Sequence, residues 1–255
     1  MLLDFKIKNY KSFYNLTDIS MIADSAKKDL NDRLINVGNK NLKKMALPSM
    51  VIYGANASGK TSIISAVNML KQIVVNGTIK RQIKNKDIKE LDICSFIHDE
   101  KKMKEPIYFE ITFKTEENIY NYIINISATY INAIRKIVGE ELNIIKYKKI
   151  GTSIKEDKIN IYKRTETKVK LNRDENVIRL LSKDKSFYQE IDNLEKTFSD
   201  NLDKEDLFLT TGFKAMINLK MATDILSWFQ ERLVTVVDFN VKEPLVNFDD
   251  VEDDK

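Results

Sequence analysis

The chain has 255 residues, 43% of them hydrophobic and 31% charged, with 42 basic against 38 acidic side chains for a net charge of +4. That length holds one large or two small domains with a sizeable core, and so balanced a charge makes no case for nucleic acid by itself. The single cysteine, Cys94, excludes an intrachain disulfide, suits a reducing cytosol and reads as a small buried apolar residue; with one histidine, His98, it cannot build a zinc site. Asp4, Lys6 and Lys8 interrupt any signal-peptide core at the N-terminus, and no stretch approaches the roughly 20 apolar residues of a membrane span.

The first element is an alternation: Leu3, Phe5 and Ile7 against Asp4, Lys6 and Lys8, a half-buried strand that runs on into Asn9-Tyr10-Lys11-Ser12-Phe13. A second strand is predicted near Leu16 to Ala23, followed by a lysine-rich surface insertion over 24–46 with room for a short helix. Met50-Val51-Ile52-Tyr53 is a short apolar run of the kind a buried parallel strand shows. It opens directly on Gly54-Ala55-Asn56-Ala57-Ser58-Gly59-Lys60-Thr61, a full G-x-x-x-x-G-K-[ST] phosphate loop. Each residue type there has a reason. The glycines let successive N–H groups curl inward onto phosphate oxygens, Lys60 adds a cation for the β- and γ-phosphates, and the Thr61 hydroxyl suits Mg²⁺. Ile63, Ile64, Val67, Leu70, Ile73 and Val74 then mark one face of a helix, whose N-terminus favours an anion at the loop.

Lys80, Arg81, Lys84, Lys86 and Lys89 make a basic stretch over 76–92, the pattern of a solvated face more than of a nucleic-acid patch. Ile107, Phe109, Ile111 and Phe113 alternate with polar residues, and Glu116-Glu117-Asn118 turns the chain back through 119–127 as a hairpin. Further strands are predicted at 142–150, 158–163 and 167–171, with Tyr108, Tyr120, Tyr122, Tyr130, Tyr147 and Tyr162 as cross-strand packing. From Arg173 the spacing turns helical: Phe187, Ile191, Leu194 and Phe198 in one helix, Leu219 to Leu233 in another that carries Trp228 as a core residue. Residues 241–255 form an acidic tail, with five acidic side chains in the last seven, and read as disordered.

The loop, with Asn at its third position, resembles the ATPase heads of the SMC, Rad50 and RecF group, distant relatives of ABC transporters. The opening Phe5-Lys6-Ile7-Lys8-Asn9-Tyr10-Lys11-Ser12-Phe13 looks like their first strand. Ile52 to Thr61, together with Glu105-Pro106-Ile107-Tyr108-Phe109, is most similar to the stand-alone prokaryotic ATPases grouped with OLD-family and abortive-infection proteins. The resemblance implies an α/β fold: a partial ABC-type head with a parallel core strand, an antiparallel β-rich subdomain and a C-terminal helical region. Its divisions would be a single incomplete head over 1–240, made of a loop-bearing lobe (1–100), an antiparallel subdomain (101–171) and a helical region (172–240). It also implies ATP and Mg²⁺ held by Gly54 to Thr61, a head-to-head homodimer or a complementing ATPase subunit, and service beside a nuclease or other effector in phage defence or DNA maintenance. Nucleic-acid binding stays open.

Hydrolysis in such heads needs an apolar strand ending in Asp-Glu and a Leu-Ser-x-Gly-Glu loop from the partner. No apolar run here leads into Asp-Glu. Leu209-Thr210-Thr211-Gly212-Phe213-Lys214 has the outline of the loop, and Leu233-Val234-Thr235-Val236-Val237-Asp238 that of the strand, which makes Asp238 the one catalytic candidate. Phe213 and Phe239 stand where the acidic residues belong, so a structural helix and strand is the expectation. The chain then reads as a split or truncated head that hydrolyses weakly or not at all. Two other readings stand beside it: a non-catalytic, nucleotide-dependent interaction module, and a small-molecule P-loop kinase, against which the long β-rich segment after the loop argues.

Overall fold

The structure, a computed structural model, describes residues 1–23, 33–38, 42–56, 58–80, 82–84, 87–89, 91, 93–128, 135–151, 153–182, 184 and 186–235. Alternation builds its main sheet. Seven strands lie in the order β11-β10-β9-β8-β7-β1-β2: β1 (Leu2–Lys8), β2 (Thr17–Ser20), β7 (Ile107–Lys114), β8 (Ile119–Ile126), β9 (Ile137–Ile150), β10 (Ser153–Thr165) and β11 (Lys168–Leu171). Every neighbouring pair is antiparallel. Short hairpins, β3 (Ile35–Asn36) with β4 (Met45–Ala46) and β5 (Gln82–Lys84) with β6 (Asp87–Lys89), stand apart from it.

One face of the sheet is apolar. Phe5, Ile7, Ile107, Phe109, Ile111, Phe113, Tyr122 and Ile124 are all sealed, at 0 or 1% exposure. Against them pack helix α1 (Lys60–Asn76), through Ala66, Met69, Leu70, Ile73 and Val74, and the C-terminal helices. Each such side chain contributes about 1.5–3 kcal/mol by leaving water. The helices are α2 (Glu175–Leu181), α3 (Phe187–Asn201), a π-helix over Leu209–Ile217, α4 (Leu219–Ser227) and a π-turn over Trp228–Arg232. The other face carries a buried polar ladder. Asn121 donates to Glu110 Oε1 (2.8 Å) and Thr112 Oγ1 (2.9 Å), Asn143 to Asn121 (3.1 Å), and Asn160 to Asn143 (3.0 Å), one strand at a time. Such side chains stay inside because each polar atom is given a partner.

Glu140 joins sheet to helices. Its carboxylate, fully buried, accepts from the Tyr122 and Tyr162 hydroxyls (2.9 and 2.8 Å), Arg164 (3.4 Å) and the backbone N–H groups of Phe208 and Leu209 (2.7 and 2.9 Å). The last two are the open N–H groups at the start of the π-helix, so the acid both pairs the arginine and caps the helix. Burial, and then the Glu140 charge, push both tyrosine hydroxyls well above their ordinary pKa.

The strands, the loop's helix and the helical region fall where the sequence predicts them, and the fold is a mixed α/β one with a mostly antiparallel sheet. Four expectations change. Met50–Tyr53 belongs to no strand among the described residues, and Val51 and Tyr53 are 83% and 91% exposed. A strand buried on both faces needs neighbours, and β1 already spends both its edges on β2 and β7. Cys94 is exposed, not buried. The insertion over 24–46 is not merely surface: Val37 and Ala46 close a small second core with Leu3, Ile119 and Ile145, while the helix allowed for there falls on 24–32, outside the described residues. The last helix tightens at Ser227 into i→i+5 hydrogen bonding, seen in Leu233 N donating to Trp228 O (2.9 Å). Tyr130, Arg81, Lys86 and the acidic tail also lie outside the described residues.

Candidate functional site

At the end of the exposed Met50–Tyr53 run the chain turns through Gly54, Ala55 and Asn56, all exposed, and re-enters order at Ser58; Ala57 lies outside the described residues. Ser58 N donates to Ala55 O (3.3 Å), which closes the curl. Gly59 follows at φ 92°, a left-handed conformation costly for any residue with a side chain, and caps α1. A Cβ on Gly59 would stand 2.9 Å from the Ser12 hydroxyl, so even the space is taken.

Helix α1 begins at Lys60 with no side-chain cap and no acidic residue in its first turn. Its leading N–H groups and dipole are thus left for a negatively charged ligand. The Lys60 ammonium is folded back on the loop, donating to the carbonyls of Gly54 (2.7 Å) and Ala55 (2.6 Å). Two carbonyl dipoles are a weaker partner for an ammonium than a phosphate oxygen, so an incoming phosphate can draw it off. Thr61 is exposed at the same rim. The sequence-predicted loop is therefore brought together as a set, from Gly54 to Thr61.

Sequence reasoning missed the loop's neighbour. The chain leaves β1 through two left-handed non-glycine residues, Asn9 (φ 55°) and Lys11 (φ 48°). Between them Tyr10 and Phe13 exchange backbone hydrogen bonds (3.2 and 2.8 Å), making a tight turn. This turn lies against α1: Ser12 at Gly59, and both the Tyr10 hydroxyl (3.3 Å) and the Lys11 ammonium (2.9 Å) on the Ser65 hydroxyl. The motif Asn-Tyr-Lys-Ser-Phe was visible; that it touches the loop was not.

The weaker candidates do not join the site. Leu209–Lys214 is no exposed loop but the start of the π-helix, with Leu209 and Phe213 fully buried. A Cβ on Gly212 would meet the rings of Phe208 (2.5 Å) and Phe198 (2.8 Å), so this glycine serves close packing. Leu233 to Thr235 form no strand, and they run along α1: Lys71 donates to Leu233 O, and Thr235 to Asn68 Oδ1 (2.7 Å). Asp238 lies outside the described residues. An Asp-Glu pair preceded by mixed residues, Asp99-Glu100, sits in a turn. There Asp99 caps the backbone of Lys101 (2.7 Å) and Lys102 (3.3 Å), and these bonds, Lys101's first, hold its carboxyl below the usual range. Among the described residues no group of three His, Cys, Asp or Glu gathers as a metal site, and no helix is long and apolar enough to cross a membrane.

No curated protein matches this chain significantly. A family model does, described as "AAA domain, putative AbiEii toxin, Type IV TA system", and it covers residues 49–218. That span starts at the approach to the phosphate loop and reaches the end of the π-helix, two thirds of the chain. Loop geometry and family match agree on a nucleotide-binding P-loop domain, and the chain belongs to the family of abortive-infection AAA domains named for the putative AbiEii toxin.

Proposed function

We propose that this chain is the ATP-binding part of an SMC/Rad50/RecF-like head of the OLD and abortive-infection branch, and that it turns ATP over slowly or not at all by itself. One observation carries the reading: a complete phosphate loop with an uncapped helix N-terminus and a free-standing lysine, beside no Asp-Glu strand. Gly54, Ala55, Asn56, Ala57, Ser58 and Gly59 would wrap the phosphates with backbone N–H groups, Lys60 would pair the β- and γ-phosphates, and Thr61 would hold Mg²⁺. When bound, the metal offsets phosphate charge; the chain's own residues bind and orient.

The exposed Met50–Tyr53 run supports completion by another chain, either a second copy or a complementing subunit, because its unpaired backbone and apolar side chains have no cover among the described residues. Phage defence beside a nuclease or similar effector is the role we favour, in line with the toxin–antitoxin wording of the family; DNA maintenance is the alternative. A cytosolic setting fits the lone Cys94. The missing Asp-Glu strand also favours a second reading, a non-catalytic module whose partner surface is set by nucleotide.

Titration with a fluorescent ATP analogue and Mg²⁺ tests the first half: Lys60→Ala should weaken binding at least tenfold, as loss of a charge-assisted phosphate contact requires. Unchanged affinity would sink it. Steady-state phosphate release tests the second half, and brisk turnover by the purified chain would refute it. ATP-driven assembly without phosphate release would promote the module reading. Any nucleic-acid binding should fall steeply with salt.

A further inference from the structure

We infer that the Tyr10–Phe13 turn is a second wall of the nucleotide site and that Lys11 is a second cation for the phosphate chain, a role that rests on the nucleotide reading above. Three observations converge. First, position: Ser12 abuts Gly59, and Lys11 reaches Ser65. Ser65 is one helical turn after Thr61, within about 40° of it around the helix and about 6 Å away between Cβ atoms. The Lys11 ammonium thus rests one turn below the hydroxyl assigned to the metal, on a four-carbon stem that can cover that difference.

Second, the turn is held there at a cost. Two non-glycine residues out of three adopt left-handed backbone, a strain of about 1–2 kcal/mol each. It persists because Asn9, fully buried, clamps it: its side-chain amide donates to the carbonyls of Lys102 (2.8 Å) and Glu105 (2.7 Å) and accepts from Phe96 N (3.2 Å). Lys11 N donates to Cys94 O (2.9 Å) from the same segment. Strain sustained by its surroundings marks places where a side chain must be aimed. Third, charge: the resting partner of Lys11 is a neutral hydroxyl, and a phosphate oxygen is the stronger acceptor. Lys60 shows the same arrangement, an ammonium resting on neutral oxygens beside the phosphate position.

The test uses the full chain with Mg²⁺ and fluorescent ATP and ADP. Lys11→Gln should raise the dissociation constant for both about tenfold, and Lys11→Arg should restore most of the affinity. ATP should also shield the Lys11 amine of the wild-type chain from acylation, read by peptide mass spectrometry, while an exposed control such as Lys163 stays reactive. The labelling arm needs no variant to fold. Unchanged affinity in Lys11→Gln, or equal acylation of Lys11 with and without ATP, overturns the inference and leaves Lys11 a structural tie to Ser65. If Lys60→Ala weakens binding and Lys11→Gln does not, only this inference falls; if neither does, the nucleotide reading falls with it.

Discussion

Truncating Glu140 to Ala removes one carboxylate and strands five donors at once. Two tyrosine hydroxyls, two π-helix N–H groups and the Arg164 guanidinium lose their acceptor at a site with no exposure to water. Breaking one side of a buried ion pair costs about 3–5 kcal/mol. In a chain of this size each kcal/mol lowers the melting point by about 2–4 °C, so a fall of about 6–20 °C is expected. Glu140→Gln keeps an acceptor oxygen for the tyrosines but turns an amide N–H₂ toward other donors, and should cost about 1–3 kcal/mol. Replacing both partners, Glu140→Leu with Arg164→Met, should recover much of the loss, because no buried charge is then left alone. Urea unfolding can be followed by the single tryptophan, Trp228, which is 2% exposed and stacked 4.1 Å from Phe113. A loss under about 1 kcal/mol for Glu140→Ala would refute the reasoning. It would mean that the carbonyls of Asp203, Asp206 and Glu166, which Arg164 also reaches, satisfy it alone.

Gly59→Ala should cost about 1–2 kcal/mol of stability from the left-handed backbone and should abolish ATP binding by moving the loop or the Ser12 turn; unchanged titration curves would count against the geometry. A pH dependence follows from Glu110. Burial acts to raise its carboxyl, but hydrogen bonds from Tyr108 and Asn121 and the Lys6 and Lys158 cations outweigh it, and hold it below the ordinary 4.5. A depressed carboxyl contributes stability that is present above that value and lost as pH falls through the lower folded one. Urea midpoints should therefore drop below about pH 4.5, and Glu110→Gln should flatten that acid limb; an equally steep limb in the variant would assign it to other groups.

Alternation at Leu3-Phe5-Ile7 and at Ile107-Phe109-Ile111-Phe113 was legible because a half-buried strand obliges every second side chain to face the core. The helix after the phosphate loop was legible for the same reason at period 3.6. Met50–Tyr53 misled because an apolar run states a need for cover without saying that cover exists among these residues. Leu209–Lys214 misled in outline because a glycine in a loop and a glycine under two phenylalanine rings are the same letter. Polar faces gave no warning either: Glu110 and Thr112 look solvent-facing by period, yet Asn121 and its neighbours bury them at 8 and 9% exposure.

The eight residues from Gly54 to Thr61 by themselves determined the chemistry, since backbone curl, cation and hydroxyl are local properties of a contiguous segment. Only the tertiary structure decided what surrounds that loop. Asn9 and Lys102 are 93 residues apart, Lys11 and Ser65 are 54 apart, and Glu140 reaches across 68 residues to cap a helix. Contacts of that separation come from how the sheet and helices stack, and no periodicity in the chain encodes them.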